Sequence, residues 1–186
     1  MLSRCEKSFL GIRKPRVENQ ESLSRFLLKN EIDTSAAFFL SDSLYISLIS
    51  SDSKFFSKYE VYDFQFKKIV PKDTLTNQCY GSIELILQNI NDQSLWEYDT
   101  LNQIQSLEDN MKQISGGKLS HPIFSSQKYY VIFYWAKFMG KYTESLLDIA
   151  SDLEKLNKTN VEIVTINMDK NVVMADSIKN LDFNIQ

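Results

Sequence analysis

The chain is poor in the residues that carry most enzyme chemistry. Of its 186 residues, only Cys5 and Cys79 are cysteines and only His121 is a histidine. There is no Cys-x-x-Cys pair, and a single histidine leaves no ligand set with the spacing of a zinc site. No metal and no cofactor are expected on these grounds. Five glycines are too few for a glycine-rich nucleotide cradle, and Gly116-Gly117 lacks the Lys-Ser/Thr pair that completes a phosphate loop. A Ser-His-Asp arrangement cannot be assembled either. Basic excess is missing too. Lys plus Arg number 21 against 24 Asp plus Glu, a net charge of −3, and the only basic run is Arg13-Lys14-Pro15-Arg16. Nucleic acid is therefore not an expected partner. No apolar run approaches the roughly 20 residues of a membrane span.

What is present is a core. Hydrophobic residues make up 43% of the chain, enough for one domain, or one plus a smaller lobe, and too many for global disorder. Residues 1–18 read as a tether. Residues 19–120 read as an α+β lobe. Within it, 19–30 carries Leu23, Phe26, Leu27 and Leu28 at helical spacing, with Ser22 as a capping residue. Residues 36–40 and 44–50 read as two strands of a hairpin around Ser41-Asp42-Ser43. A third strand spans 59–70, where the apolar alternation shifts phase between Val61 and Phe64, and Pro71 ends it. Two helices follow. One spans 77–91 with Cys79, Ile83, Ile86, Leu87 and Ile90 on one face. The other spans 100–114 with Leu101, Ile104, Leu107 and Met111, and it closes at Gly116-Gly117. A loop over 115–127 holds His121.

The last third is organised differently. Tyr129-Tyr-Val-Ile-Phe-Tyr134 is an apolar strand run, and Trp135-Ala136-Lys-Phe-Met-Gly-Lys-Tyr142 follows it directly. Residues 143–156 place Leu146, Leu147, Ile149, Ala150, Leu153 and Leu156 at helical spacing. Then Val161-Glu-Ile-Val-Thr-Ile-Asn-Met-Asp-Lys-Asn171 reads as a second strand and 172–180 as a short helix. Strand, helix, strand in this order implies parallel pairing through a crossover helix.

Over about residues 129–182 this series resembles the active-site half of a thioredoxin-type domain, where an apolar strand leads through Trp-Ala and a Cys-Gly-x-Cys box into a long helix. Gly140 stands at the glycine of the box, and Met139 and Tyr142 stand where the two cysteines would be. The resemblance implies an α/β thioredoxin-like sheet joined to the α+β lobe, with residues 121–186 as a partial thioredoxin-like domain. It also implies a scaffold without the chemistry. Disulfide exchange needs one thiolate to attack and a second thiol to resolve the mixed disulfide, and neither a thioether nor a phenol can take those parts. The family further carries a cis-proline facing its active site, but the equivalent place here, Asp182–Gln186, has no proline. The chain ends about where the family's closing β-hairpin and last helix are expected. Either the product is truncated or preceding segments supply the missing strands.

The resemblance turns Trp135, Phe138, Met139, Gly140 and Tyr142 into a degenerate active-site loop. As an exposed aromatic and methionine group it would suit a protein or peptide partner. As a redundant site its side chains would simply fill space. Asn167, Asp169 and Asn171 sit at a strand end, where open α/β sheets bind ligands and where turn-forming and capping residues are equally at home. Cys79 reads either as a small buried hydrophobe or as the thiol of a divergent disulfide-exchange or peroxiredoxin-like enzyme. His121 reads as a solvated loop residue. Met1-Leu-Ser-Arg-Cys5 leaves two readings open: a lipoprotein acylated at Cys5, whose lipid would be its sole membrane attachment, and a cytosolic protein with an incidental cysteine. Abundant Asn, Lys, Ile, Phe and Ser suggest an AT-rich genome, and the whole pattern resembles envelope-associated thioredoxin-like proteins of Bacteroidetes, whose place would be the periplasm or outer membrane. A redox-inactive binding or assembly module is the function this series implies, with an enzyme using Cys79 or an inactive truncated product as the alternatives.

Overall fold

The computed structural model describes residues 11–51, 57–71, 83, 86, 87, 89, 90, 92, 96–99, 105–116, 123, 124, 128–156 and 160–181. The readings placed on Cys5, Cys79 and His121 lie outside the described residues.

The run Tyr129–Trp135 forms strand β7, labelled in chain order with the strands introduced below. It has no polar residue to turn toward water, so it is stable only with both faces covered. All of it but Tyr129 is buried. It pairs along its whole length on one edge and from Tyr130 to Trp135 on the other. Strand β8 (Val161–Asn167) lies parallel to it from Tyr129↔Val161 to Trp135↔Asn167, and β3 (Ser57–Tyr62) lies antiparallel from Ser57↔Trp135 to Tyr62↔Tyr130. β2 (Ala37–Leu40) is parallel to β8, and its outer edge is covered antiparallel by β6 (Met111–Gln113). On the other side β4 (Lys68–Pro71) and β5 (Trp96–Asp99) continue antiparallel. The order is β5-β4-β3-β7-β8-β2-β6. Strands from before and after residue 120 thus alternate in one sheet. A separate two-stranded parallel pair joins β1 (Val17–Glu18) to β9 (Lys170–Asn171).

Helices cover both faces, so the fold is a mixed α/β three-layer arrangement. Val131, Phe133 and Trp135 meet Leu23 and Leu27 of α1 (Gln20–Lys29) and Leu146, Leu147, Ala150 and Leu153 of α4 (Lys141–Lys155), with Ile83, Ile86, Leu87 and Ile90 in the same cluster. Tyr130, Ile132 and Tyr134 meet Tyr45 of α2 (Asp42–Ser51), Leu107 of α3 (Gln105–Glu108) and Ile178 of α5 (Asp176–Lys179). The strand–helix–strand order of the last third is present as expected, with β7 and β8 parallel.

Four expectations need correction. Residues 44–50 form helix α2, not a strand. Tyr45 is buried and Leu44, Leu48 and Ile49 are partly buried while Ile46 is exposed, a 3.6-residue stripe that a reading by alternation mistook. Residues 59–70 are a hairpin rather than one strand. The phase shift is its turn, where the Asp63 carboxylate accepts the Gln65 and Lys67 amides at 2.8 Å each and Phe66 sits at φ 64°. Of the helix expected over 100–114, only Gln105–Glu108 is helical in the described part, and Met111 begins β6. The exposed edge of β2 needs a partner for its backbone groups, and the turn at Asn110 delivers one. Finally, Asn19 rather than Ser22 caps α1, accepting the Ser22 amide at 2.8 Å.

Leu147 is fully buried between α4 and the sheet, whereas Leu28 on α1 is 65% exposed. Leu147→Ala should lower unfolding free energy by about 2–5 kcal/mol. Leu28→Ala should change it by no more than about 0.5 kcal/mol. Urea denaturation of the two variants checks both.

Candidate functional site

The C-terminal ends of β7 and β8 are tied together by a compact polar network. Beyond Trp135 the chain makes a single 3-10 turn, Lys137–Met139, and enters α4 through Gly140 at φ 60°, ψ −127°, a conformation only glycine adopts without strain. Thr143, in the first turn of α4, is fully buried. Its hydroxyl accepts the Ala136 amide at 3.3 Å and donates to the Ala136 carbonyl at 2.6 Å. The Met168 amide donates to the Trp135 carbonyl at 2.7 Å, and the Tyr45 hydroxyl donates to the Met168 carbonyl at 3.1 Å.

Asp169 is the centre of this network. One of its oxygens accepts the Lys137 amide at 2.7 Å and the Asn167 side-chain amide at 2.8 Å; the other lies 3.4 Å from the Phe138 amide. Its own amide donates to the Asn167 side chain at 3.2 Å. Burial pushes its pKa up to about 6, with the nearby Glu18 carboxylate adding to the rise and the three N–H donors opposing it. Asn167 and Asp169 therefore bind the loop of this chain itself: the carboxylate satisfies amides at the start of the 3-10 turn that would otherwise be buried without partners.

A strap lies over the same turn. The Arg13 amide donates to the Phe138 carbonyl at 2.8 Å, and Glu18 in β1 accepts the Val172 amide at 3.0 Å through its carbonyl. The Glu18 carboxylate receives the Lys137 ammonium at 2.9 Å and the Ser22 hydroxyl at 2.6 Å. Between strap and turn is a cavity of about 110 Å³, lined by Arg13, Lys14, Arg16, Glu18, Lys137 and Phe138.

The five loop residues singled out from sequence are brought together here, but not as one exposed group. Trp135 is buried and stacked on Phe26, ring centres 5.6 Å apart, and Phe138 is buried in the opposite core. Met139, Gly140 and Tyr142 are half-buried. Thr143, Lys137 and Glu18 escaped the sequence reading. Thr143 carried a readable signal, since it falls on the apolar stripe of α4 one turn before Leu146 and Leu147. The contact between Lys137 and Glu18 spans 119 positions and had none.

A second buried carboxylate, Glu60 in β3, accepts the hydroxyls of Tyr62 and Tyr134 at 2.9 and 3.0 Å and the Lys68 ammonium at 2.7 Å, with the Lys58 ammonium at 3.2 Å. Burial pushes its pKa up, but Lys68 and Lys58 outweigh it and hold the carboxyl below its usual range. It is ionised, paired and fully satisfied, which suits a cross-strand clasp. Compared with protein-family models, curated proteins and solved structures, the chain matches none.

Asp169 gives the protein a characteristic pH response. An unfolded aspartate releases its proton near pH 3.9, and folded Asp169 keeps it to about 6. Between these values the folded state holds more protons, so this contribution favours folding at low pH and is lost as pH rises from about 4 to 6, by ~3 kcal/mol at most. Asp169→Asn should flatten that part of the stability curve, read from urea denaturation at pH 4, 5, 6 and 7. An unchanged slope would assign the titration to another group.

Proposed function

We propose that the chain is a thioredoxin-like protein whose redox box has become a self-clamped loop, and that it acts as a binding module rather than a disulfide oxidoreductase. The observation that carries the proposal is the turn after β7. It keeps the strand–Trp-Ala–turn–Gly–helix path, yet it offers no thiol, and Asp169 occupies its amides.

The surrounding sheet supports the thioredoxin-like reading. Parallel β2, β8 and β7 are followed at the outer edge of β7 by the antiparallel hairpin β3–β4. A closing hairpin belongs beside that strand in the family, and here residues 57–71, which precede β7 in the chain, stand in its place. Helix α4 shares one face with Ile83, Ile86, Leu87 and Ile90, and α2 shares the other with α5.

With Trp135 and Phe138 buried, the binding face consists of the half-buried Met139, Gly140 and Tyr142 together with the strap of residues 11–18. A protein or peptide partner would contact these side chains without opening the core.

Two experiments test the proposal. Insulin reduction with dithiothreitol should run no faster with the purified protein than without it. Catalysis abolished by Cys79→Ser would establish the enzyme reading instead. In the second, the paired substitutions Met139→Cys and Tyr142→Cys place thiols at the two box positions. Oxidation should then close an intramolecular disulfide, seen as a loss of two titratable thiols without dimer formation. Four thiols that stay free in the oxidised, folded variant, the two introduced ones together with Cys5 and Cys79, would mean that the turn lacks the geometry of the family.

A further inference from the structure

We propose that the cavity between the strap of residues 11–18 and the turn at 137–140 is an anion site that takes the phosphate monoester group of a small molecule. The inference goes beyond the protein- or peptide-binding reading and rests on it only in taking the strap and the turn as the binding face.

The charge of the cavity is the first argument. Arg13, Lys14 and Arg16 all line it, and none has a carboxylate partner among the described residues. The fourth cation, Lys137, is already neutralised by Glu18, whose carboxylate is further held by Ser22. Three uncompensated positive charges therefore converge on one small space in a protein whose net charge is −3. Like charges held this close repel each other, and an anion carrying about 1.5 to 2 negative charges at neutral pH relieves that repulsion better than a single carboxylate. Two of the three are arginines, whose planar N–H forks match phosphate oxygens.

Position and rigidity are the second argument. The cavity lies outside the C-terminal ends of the parallel strands β7 and β8, where open α/β sheets place their ligands. The strap is not a loose tail at this point. It is pinned by the Arg13 amide on the Phe138 carbonyl and by the pairing of Val17 and Glu18 with Lys170 and Asn171, and Pro15 between these anchors restricts the backbone. The backbone that carries the cations is thus fixed before any ligand arrives, which lowers the entropy lost on binding.

Size is the third. About 110 Å³ is far below the roughly 300–1,000 Å³ of sites that enclose a drug-sized molecule. The cavity admits one tetrahedral oxyanion group and leaves the rest of the ligand outside.

The test uses the full chain at constant ionic strength, with glycerol 3-phosphate as probe, glycerol as control and backbone amide NMR as readout. Saturable shifts centred on the amides of Arg13, Arg16, Lys137 and Phe138 are expected with glycerol 3-phosphate and none with glycerol. Arg13→Gln with Arg16→Gln should weaken binding roughly ten- to hundredfold, with the same melting temperature as the parent and with partial recovery in the matching lysine variants. No saturable shift, shifts centred elsewhere, or equal binding by the glutamine variant would overturn the proposal. So would binding to vesicles containing phosphatidic acid without any response to glycerol 3-phosphate, which would assign the cations to a membrane surface. If phosphate binding fails while insulin reduction stays at baseline, this inference alone falls; thiol-dependent reduction would instead remove the reading beneath it.

Discussion

The structure depends on the burial of one strand on both faces. β7 offers seven consecutive apolar or aromatic residues, and no arrangement satisfies them except a central place in a sheet with helices above and below. That demand sets most of what surrounds it. It requires a partner on each edge, met by β8 and β3, and it requires two helical layers, which α1 with α4 and α2 with α3 and α5 provide. Strands far apart in the chain are interleaved around it, β3 on one edge and β8 on the other, with β2 beyond β8.

The same burial creates a problem at the strand ends. There the backbone must leave the sheet, turn and start a helix while still covered by protein. Its amides need acceptors that water cannot supply. Asp169, Asn167 and Thr143 are the answer, and together they join the loop after β7 to the loop after β8. A carboxylate that meets three N–H donors in a buried setting holds that loop in one shape. The turn after β7 is thereby part of the scaffold, and charged groups lie on the strap beside it.

Glu60 and Asp169 are buried carboxylates in opposite circumstances. Glu60 is surrounded by ammonium groups and hydroxyls and stays ionised. Asp169 has only neutral donors, with Glu18 close enough to oppose its charge, and its proton is held to a higher pH. Burial is common to both; the neighbouring charges decide the direction.

Much of this was legible in the sequence by itself. The strand, crossover helix and second strand of the last third follow from local periodicity, as does α1, because each is written in contiguous residues whose pattern matches one period. The absence of thiols from the loop is equally plain. Shorter or compound patterns misled. Residues 44–50 are apolar at nearly every second position and still form a helix, because in a short run alternation and helical spacing overlap and only the core decides which face is buried. Leu107 and Met111 lie four apart as in a helix, yet the open edge of β2 draws Met111 into a strand. The rest belongs to tertiary structure alone. That Trp135 would be sealed beneath Phe26, that Lys137 would meet Glu18, and that Arg13, Lys14 and Arg16 would surround a cavity at the strand ends depends on contacts between distant segments. Local sequence carries the periodicity of an element and the chemistry of its side chains; the packing of elements against one another determines which of those side chains meet.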